Sequence, residues 1–239
     1  MSPAEEQQAA GLCAALTMDE HKEYGVLAQV RSQGYWLLSR LFLRVPDAQH
    51  LHELQAELAG ADADGPLADL RRAVEESLRA PDDAAVEFTR RLVVVSKSGG
   101  ESLPYESFVR DGTVPGPATA EVVACMADCG FADIAPDAPS PDHIGAELKF
   151  MALLSCEENQ AWEQGRTAEA MQLVASQRSF LNTHLAAWGL DYCEALETRA
   201  EHVYMKSVAR MARLCMLEDV AIVEENFREL SGIIDAAVD

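Results

Sequence analysis

At 239 residues, with 49% hydrophobic and 25% charged side chains, the chain can bury one large core or two small ones and is not generally disordered. Nineteen Lys and Arg against forty Asp and Glu leave a net charge of −21. That balance excludes nucleic acid as a natural partner and favours something basic, unless the acidic surface serves only to keep the protein solvated. The polar, acidic start MSPAEEQQAAGLCAALTMDE lacks the basic and apolar regions of a secretion signal, and no apolar run is long enough to span a bilayer. A cytoplasmic chain without stable membrane insertion is expected.

In chain order, residues 23–44 read as a long helix with Val26, Leu27, Val30, Leu37, Leu38, Leu41 and Phe42 on its apolar faces, ended by Pro46. Shorter amphipathic segments follow at 50–58 and 67–78, separated by the turn-forming GADADGP. Pro81-Asp82-Asp83 opens a helix through Glu87 and Phe88 to Leu92, where Val93-Val94-Val95 leaves a short strand open as an alternative. The loop SKSGGESLP leads into Tyr105-Glu106-Ser107-Phe108, and GTVPGPAT precedes a helix over about 120–129 that Gly130 stops. Residues 135–141, APDAPSP, hold three prolines and cannot continue a helix. They divide the chain into an N-terminal helical part (1–134), a Pro-rich hinge (135–141) and a C-terminal helical part (142–239). Helices are expected at 141–163, 166–188, 190–205 and 206 to about 230, which makes the chain all-α.

The helix after the hinge is well signalled: Ser140 as N-cap, Pro141 at the first helical position and Asp142 in a first turn that favours negative charge. Ile144, Leu148, Met151 and Trp162 form one stripe, widened by Phe150, Leu153, Leu154 and Ala161. Glu147 and Glu158 project into this apolar arc, and His143 stands one turn before Glu147, close enough to pair with it. Buried acids require a cationic partner, from within the chain or from outside.

Other chemistry is sparse. The six cysteines are scattered singly in apolar surroundings, as reduced core thiols are; Cys125 and Cys129 lie i, i+4, but no second pair completes a metal site. His50 and His52 point to different faces, Gly99-Gly100 lacks the Walker spacing, and Ser107 has no nucleophile elbow. His184 and Trp188, i, i+4 in FLNTHLAAW, read either as a packed core pair or as the lining of a ligand groove. No catalytic residue, metal ligand or cofactor is assigned.

Four segments together resemble the TorD/DmsD family of redox-enzyme maturation chaperones, including its NarJ-like branch. They are Phe88-Thr89-Arg90-Arg91-Leu92; Leu103-Pro104-Tyr105-Glu106-Ser107-Phe108 with Gly116-Pro117-Ala118-Thr119; Pro141-Asp142-His143 with Glu147 to Met151; and Phe180-Leu181 with His184, Leu185 and Trp188. The family's aromatic-x-x-Leu-Phe ending is altered here to Arg91-Leu92, and only Asp-His remains of the fuller Glu-Pro-x-Asp-His. The resemblance implies an all-helical, non-enzymatic cytoplasmic chaperone. Such a protein binds the twin-arginine signal peptide or the apo-form of a molybdenum-cofactor oxidoreductase before export. The Pro-rich hinge is compatible with a monomer or with a helix-exchanged homodimer. The resemblance implies signal-peptide contacts by Asp142, His143, Phe88, Tyr105, Glu106 and Glu147, supported by His184 and Trp188. Two readings from other classes are a helical metal- or nucleotide-dependent hydrolase using His143, Glu147 and Glu158, and a structural subunit of a redox complex.

Overall fold

The structure, a computed structural model, describes residues 16–93, 103–131, 134 and 136–238, with the side chains of the last helix described through Ile233. Among these residues no strand forms, and the architecture is all-α. The first long helix, α1 (Met18–Leu43), starts on a reciprocal cap in which the Thr17 hydroxyl accepts from the Glu20 N–H and the Glu20 carboxylate accepts from the Thr17 N–H. Four helices follow: α2 (Ala48–Glu57), α3 (Pro66–Ser77), α4 (Pro81–Phe88) and the short α5 (Glu106–Asp111). Beyond them come α6 (Pro117–Asp128), α7 (Ile144–Glu163), α8 (Thr167–Phe180), α9 (Ala186–Arg199) and α10 (Val203–Val238). Wide π turns at Thr89–Val93 and Leu181–Leu185 extend α4 and join α8 to α9.

The most extensive packing is α1 along α7, with α8 also packed against α7 and α10 packed against α9 and α3. Close approach at the start of α7 depends on Gly145. A Cβ there would lie 2.6 Å from Leu43 Cγ, and the Gly145 carbonyl accepts from Ser39 Oγ at 2.7 Å. One core runs from Leu16 in the N-terminal part to Leu230 near the chain's end, so both sides of the Pro-rich 135–141 segment contribute to the same apolar cluster. Of the six cysteines, Cys125, Cys129, Cys156, Cys193 and Cys215 are free thiols; Cys13 lies outside the described residues.

The first and last long helices run further than expected, from Met18 and to Val238, and three other boundaries differ for an identifiable reason. The helix expected from Pro141 begins at Ile144, because Ser140 and Asp142 bond elsewhere and His143 supplies the cap. No break occurs at Trp188-Gly189: Gly189 faces Met216, where its missing side chain admits the Met216 sulfur, and the helix continues to Arg199. The break expected between Met205 and Lys206 falls instead at 200–202. There the buried Glu87 carboxylate accepts the free N–H groups of Glu201 (2.7 Å) and His202, capping α10 from a distant part of the chain. Of the Val93–Val95 strand alternative, only Val93 lies within the described residues, and it is helical.

Candidate functional site

Two segments far apart in sequence meet at the start of α7. Tyr105 and His143 form an isolated antiparallel bridge, flanked by the Glu106 N–H donating to the Asp142 carbonyl and the Ile144 N–H donating to the Pro104 carbonyl, both at 2.9 Å. The Asp142 side chain completes the junction by accepting from the Ser107 N–H at 3.0 Å and from the Ser140 hydroxyl. It therefore caps the N-terminus of α5, the neighbouring helix, and not its own. Burial raises the Asp142 carboxyl, but the bonds from Ser107 and Ser140 outweigh it and hold the group below its usual range. Gly116, in the downstream Gly-Pro, lies against this segment; a Cβ there would lie 2.6 Å from Asp111 Oδ2 and 3.0 Å from Ser107 Cβ.

His143 is neutral. Burial pushes its imidazole down to about 4 against the opposing pull of Asp142. Its Nδ1 accepts from the Gly145 N–H at 3.1 Å, which places the ring proton on Nε2. Its ring meets that of Tyr105 in a T-shaped contact with centroids 5.2 Å apart. The pairing of His143 with Glu147 expected from their spacing is absent, because the imidazole turns back to cap its own helix.

Beneath the junction lie two fully buried carboxyls. Glu106 accepts from His184 Nδ1 at 3.0 Å and from the half-exposed Arg110 guanidinium at 2.5 Å, and Arg110 also reaches Glu121 at 3.0 Å. Glu147 Oε2 accepts from Trp188 Nε1 at 3.1 Å, while its Oε1 has no hydrogen-bond partner. Burial first, and then the charge of Glu106 beside it, push the Glu147 carboxyl well above its ordinary value of 4.5, which favours its protonated form. The cationic partner expected for Glu147 is thus replaced by a proton and an indole.

A group raised in this way contributes stability that is fully present below its unfolded pKa and is lost as pH rises through the folded value. Glu147→Gln, an isosteric neutral replacement, is therefore expected to gain stability relative to wild type as pH rises above the ordinary carboxyl value of 4.5, the difference levelling off below it. Denaturant melts across that series check it; a difference that shrinks as pH rises would contradict a neutral Glu147.

Glu158 does find an internal cation. It accepts from Arg31 Nη1 (3.0 Å), Gln177 Nε2 (2.8 Å) and Trp162 Nε1 (3.2 Å). Arg31 in turn donates to both oxygens of Asp219, which also accepts from the Tyr35 hydroxyl at 2.7 Å. Eleven residues separate Glu147 from Glu158 on one helix, about 16 Å of rise. The set His143, Glu147 and Glu158 therefore does not converge on a hydrolytic centre. Among the described residues no group of three or more His, Cys, Asp or Glu is placed to hold a metal ion.

Of the residues singled out from sequence, Asp142, His143, Tyr105, Glu106, Glu147, His184 and Trp188 are brought together. Phe88 is buried in the hydrophobic core and shares no bond with them. Arg91, the altered motif position, donates to the Arg199 carbonyl at 2.6 Å and lies near Glu87, tying the end of α4 to the end of α9. Sequence reasoning missed Arg110 and Glu121, although Glu106 and Arg110 stand i, i+4 as a helical ion pair does.

A family model described as nitrate reductase delta subunit matches residues 49–194, which run from within α2 into α9 and include the whole junction. The chlorate reductase assembly chaperone protein of Ideonella dechloratans is 47% identical over 57 residues, 24% of this chain and 28% of that protein. The selenate reductase assembly chaperone protein of Thauera selenatis is 43% identical over 61 residues, 26% of this chain and 31% of that one. The chaperone protein TorD of Vibrio cholerae is 24% identical over 219 residues, 87% of this chain and 98% of that one. The chain thus matches under a third of the two reductase assembly chaperones and nearly the full length of TorD.

Proposed function

This chain belongs to the nitrate reductase delta subunit family, and from that membership together with the buried acidic junction we propose that it is a non-catalytic chaperone for maturation of a molybdenum-cofactor oxidoreductase. Its client is bound in the cytoplasm, through the twin-arginine signal peptide or the apo-form, before export. The relatives named as reductase assembly chaperones and as TorD support the class of activity. Among the described residues no helix is long and apolar enough to cross a membrane.

One observation carries the peptide reading: a single bridge between Tyr105 and His143 gathers three carboxyls, Asp142, Glu106 and Glu147, beside an apolar core in a protein of net charge −21. A twin-arginine signal presents two guanidinium groups joined to an apolar segment, and the carboxylates of Asp142 and Glu106 beside an apolar core suit it. The acidic surface speeds its approach, and the close Arg–carboxylate contacts fix its register. Because Asp142 is fully buried beneath α5, a peptide reaches it only as α5 moves aside, with the Pro-rich 135–141 segment as the hinge. The chaperone acts as a monomer or, by exchange of helices across the same hinge, as a homodimer.

Asp142→Asn is expected to weaken binding of an Arg-Arg signal peptide by about 1–3 kcal/mol in calorimetric titration. The variant's thermal melt, recorded alongside, shows whether α5 remains docked. Equal affinity of the two proteins would remove Asp142 from the site.

A further inference from the structure

The junction also shows how one guanidinium is held, because the chain seats one of its own there. Arg110 extends from α5 across two carboxylates, Glu106 on its inner side and Glu121 on its outer side. Glu106 is completely buried, Glu121 is half exposed, and the Arg110 side chain between them is 38% exposed. Of the three acids at the junction, Asp142 is held by an amide and a hydroxyl and Glu147 by a buried indole. Glu106 is the one closed off by a cation that itself reaches solvent. Behind Glu106, the fully buried Oε1 of Glu147 has no hydrogen-bond partner. A guanidinium carries five N–H donors in a planar fork, more than Arg110 uses here.

We propose that the carboxylates of Glu106 and Glu121, backed by the unpartnered oxygen of Glu147, form the seat for one arginine side chain of the client peptide, and that Arg110 occupies this seat until the peptide displaces it. The proposal rests on the peptide-binding reading above. It gives the site an arginine subsite at the surface, reached by exchange of one guanidinium for another without prior removal of α5. Arg110 then acts as an internal competitor, and the affinity measured for a peptide is the intrinsic affinity reduced by the fraction of molecules in which the seat is free.

The test is titration calorimetry on the full chain with a synthetic signal peptide carrying Arg-Arg and a matched peptide carrying Lys-Lys. Arg110→Gln is expected to bind the Arg-Arg peptide about tenfold more tightly than wild type, as for a seat that Arg110 fills about nine-tenths of the time. The Lys-Lys peptide should gain less, because an ammonium lacks the fork that bridges two carboxylates. Glu106→Gln combined with Arg110→Gln should abolish the gain. If wild type binds and Arg110→Gln binds equally or more weakly, Arg110 is only a structural tie and the inference is overturned while the peptide reading stands. If neither protein binds the Arg-Arg peptide, the peptide reading fails and this inference with it. Should Arg110→Gln melt out, Arg110→Lys keeps the charge without the fork; a smaller gain in affinity is then expected, and an unchanged affinity overturns the inference.

Discussion

Replacing Arg31 by Met is expected to cost about 3–5 kcal/mol of folding stability, because it strips the cation from two buried carboxylates at once. The Arg31 side chain is 5% exposed, and those of Glu158 and Asp219 are 1% and 6%. None of the three can recover water in the folded state. Burial works against the charge of Arg31, yet Asp219 and then Glu158 more than offset it and hold the guanidinium firmly protonated. The guanidinium serves α10 through Asp219, α7 through Glu158 and α8 through Gln177, whose Oε1 it meets at 2.5 Å. Removing it leaves two desolvated acids sharing only Tyr35, Gln177 and Trp162 as neutral donors. Arg31→Lys should recover only part of the loss, since one ammonium cannot span three acceptors on three helices. Equilibrium unfolding in guanidinium chloride measures both variants. A cost under about 1 kcal/mol for Arg31→Met would show that the network adds little beyond packing.

That network marks where sequence reasoning reached its limit. Glu158 was legible as an acid on an apolar arc in need of a cation from within the chain or from outside; its partner was not, because 127 residues separate it from Arg31 and no local rule spans that distance. The helices themselves were legible, since apolar periodicity is local and Pro46, Pro66, Pro81 and Pro117 mark their limits. The start of α7 was misplaced because Ser140-Pro141-Asp142 is good capping chemistry that the fold uses for α5 instead. The break before α10 was misplaced because its cap, Glu87, comes from α4. His143 and Glu147 had the right spacing to pair and do not, because burial favours a neutral imidazole and a neutral carboxyl over two ions. The four motif segments were recognisable together and in order, but only the fold shows that the Tyr105 and His143 segments form one junction with His184 and Trp188 beneath it. Phe88 shares a motif with the altered Arg91 and lies in the core, while Arg91 secures the α9 end.

Trp188 is expected to be as costly to remove as Arg31, for a different reason. Its indole is 2% exposed and lies tilted against Tyr192 at 5.5 Å between centroids. Trp188→Ala should therefore lose about 3–5 kcal/mol from the cavity and the lost apolar burial. Trp188→Phe retains a packed ring but no Nε1–H, and Glu147 then has neither oxygen partnered by a donor from α9. The expected cost of that change is about 1–3 kcal/mol. The double variant Trp188→Phe with Glu147→Leu isolates this term: removing the carboxyl together with its donor should recover part of the loss, because an apolar pair of similar volume has no polar group left to satisfy. If Trp188→Phe unfolds at the wild-type denaturant concentration, the indole only fills space and Glu147 needs no donor. If the loss is as expected, the Trp188 bond fixes the depth at which Glu147 stands behind Glu106. The acids of the junction are then positioned by a tryptophan and a histidine, Trp188 and His184, one turn apart across the end of a π turn.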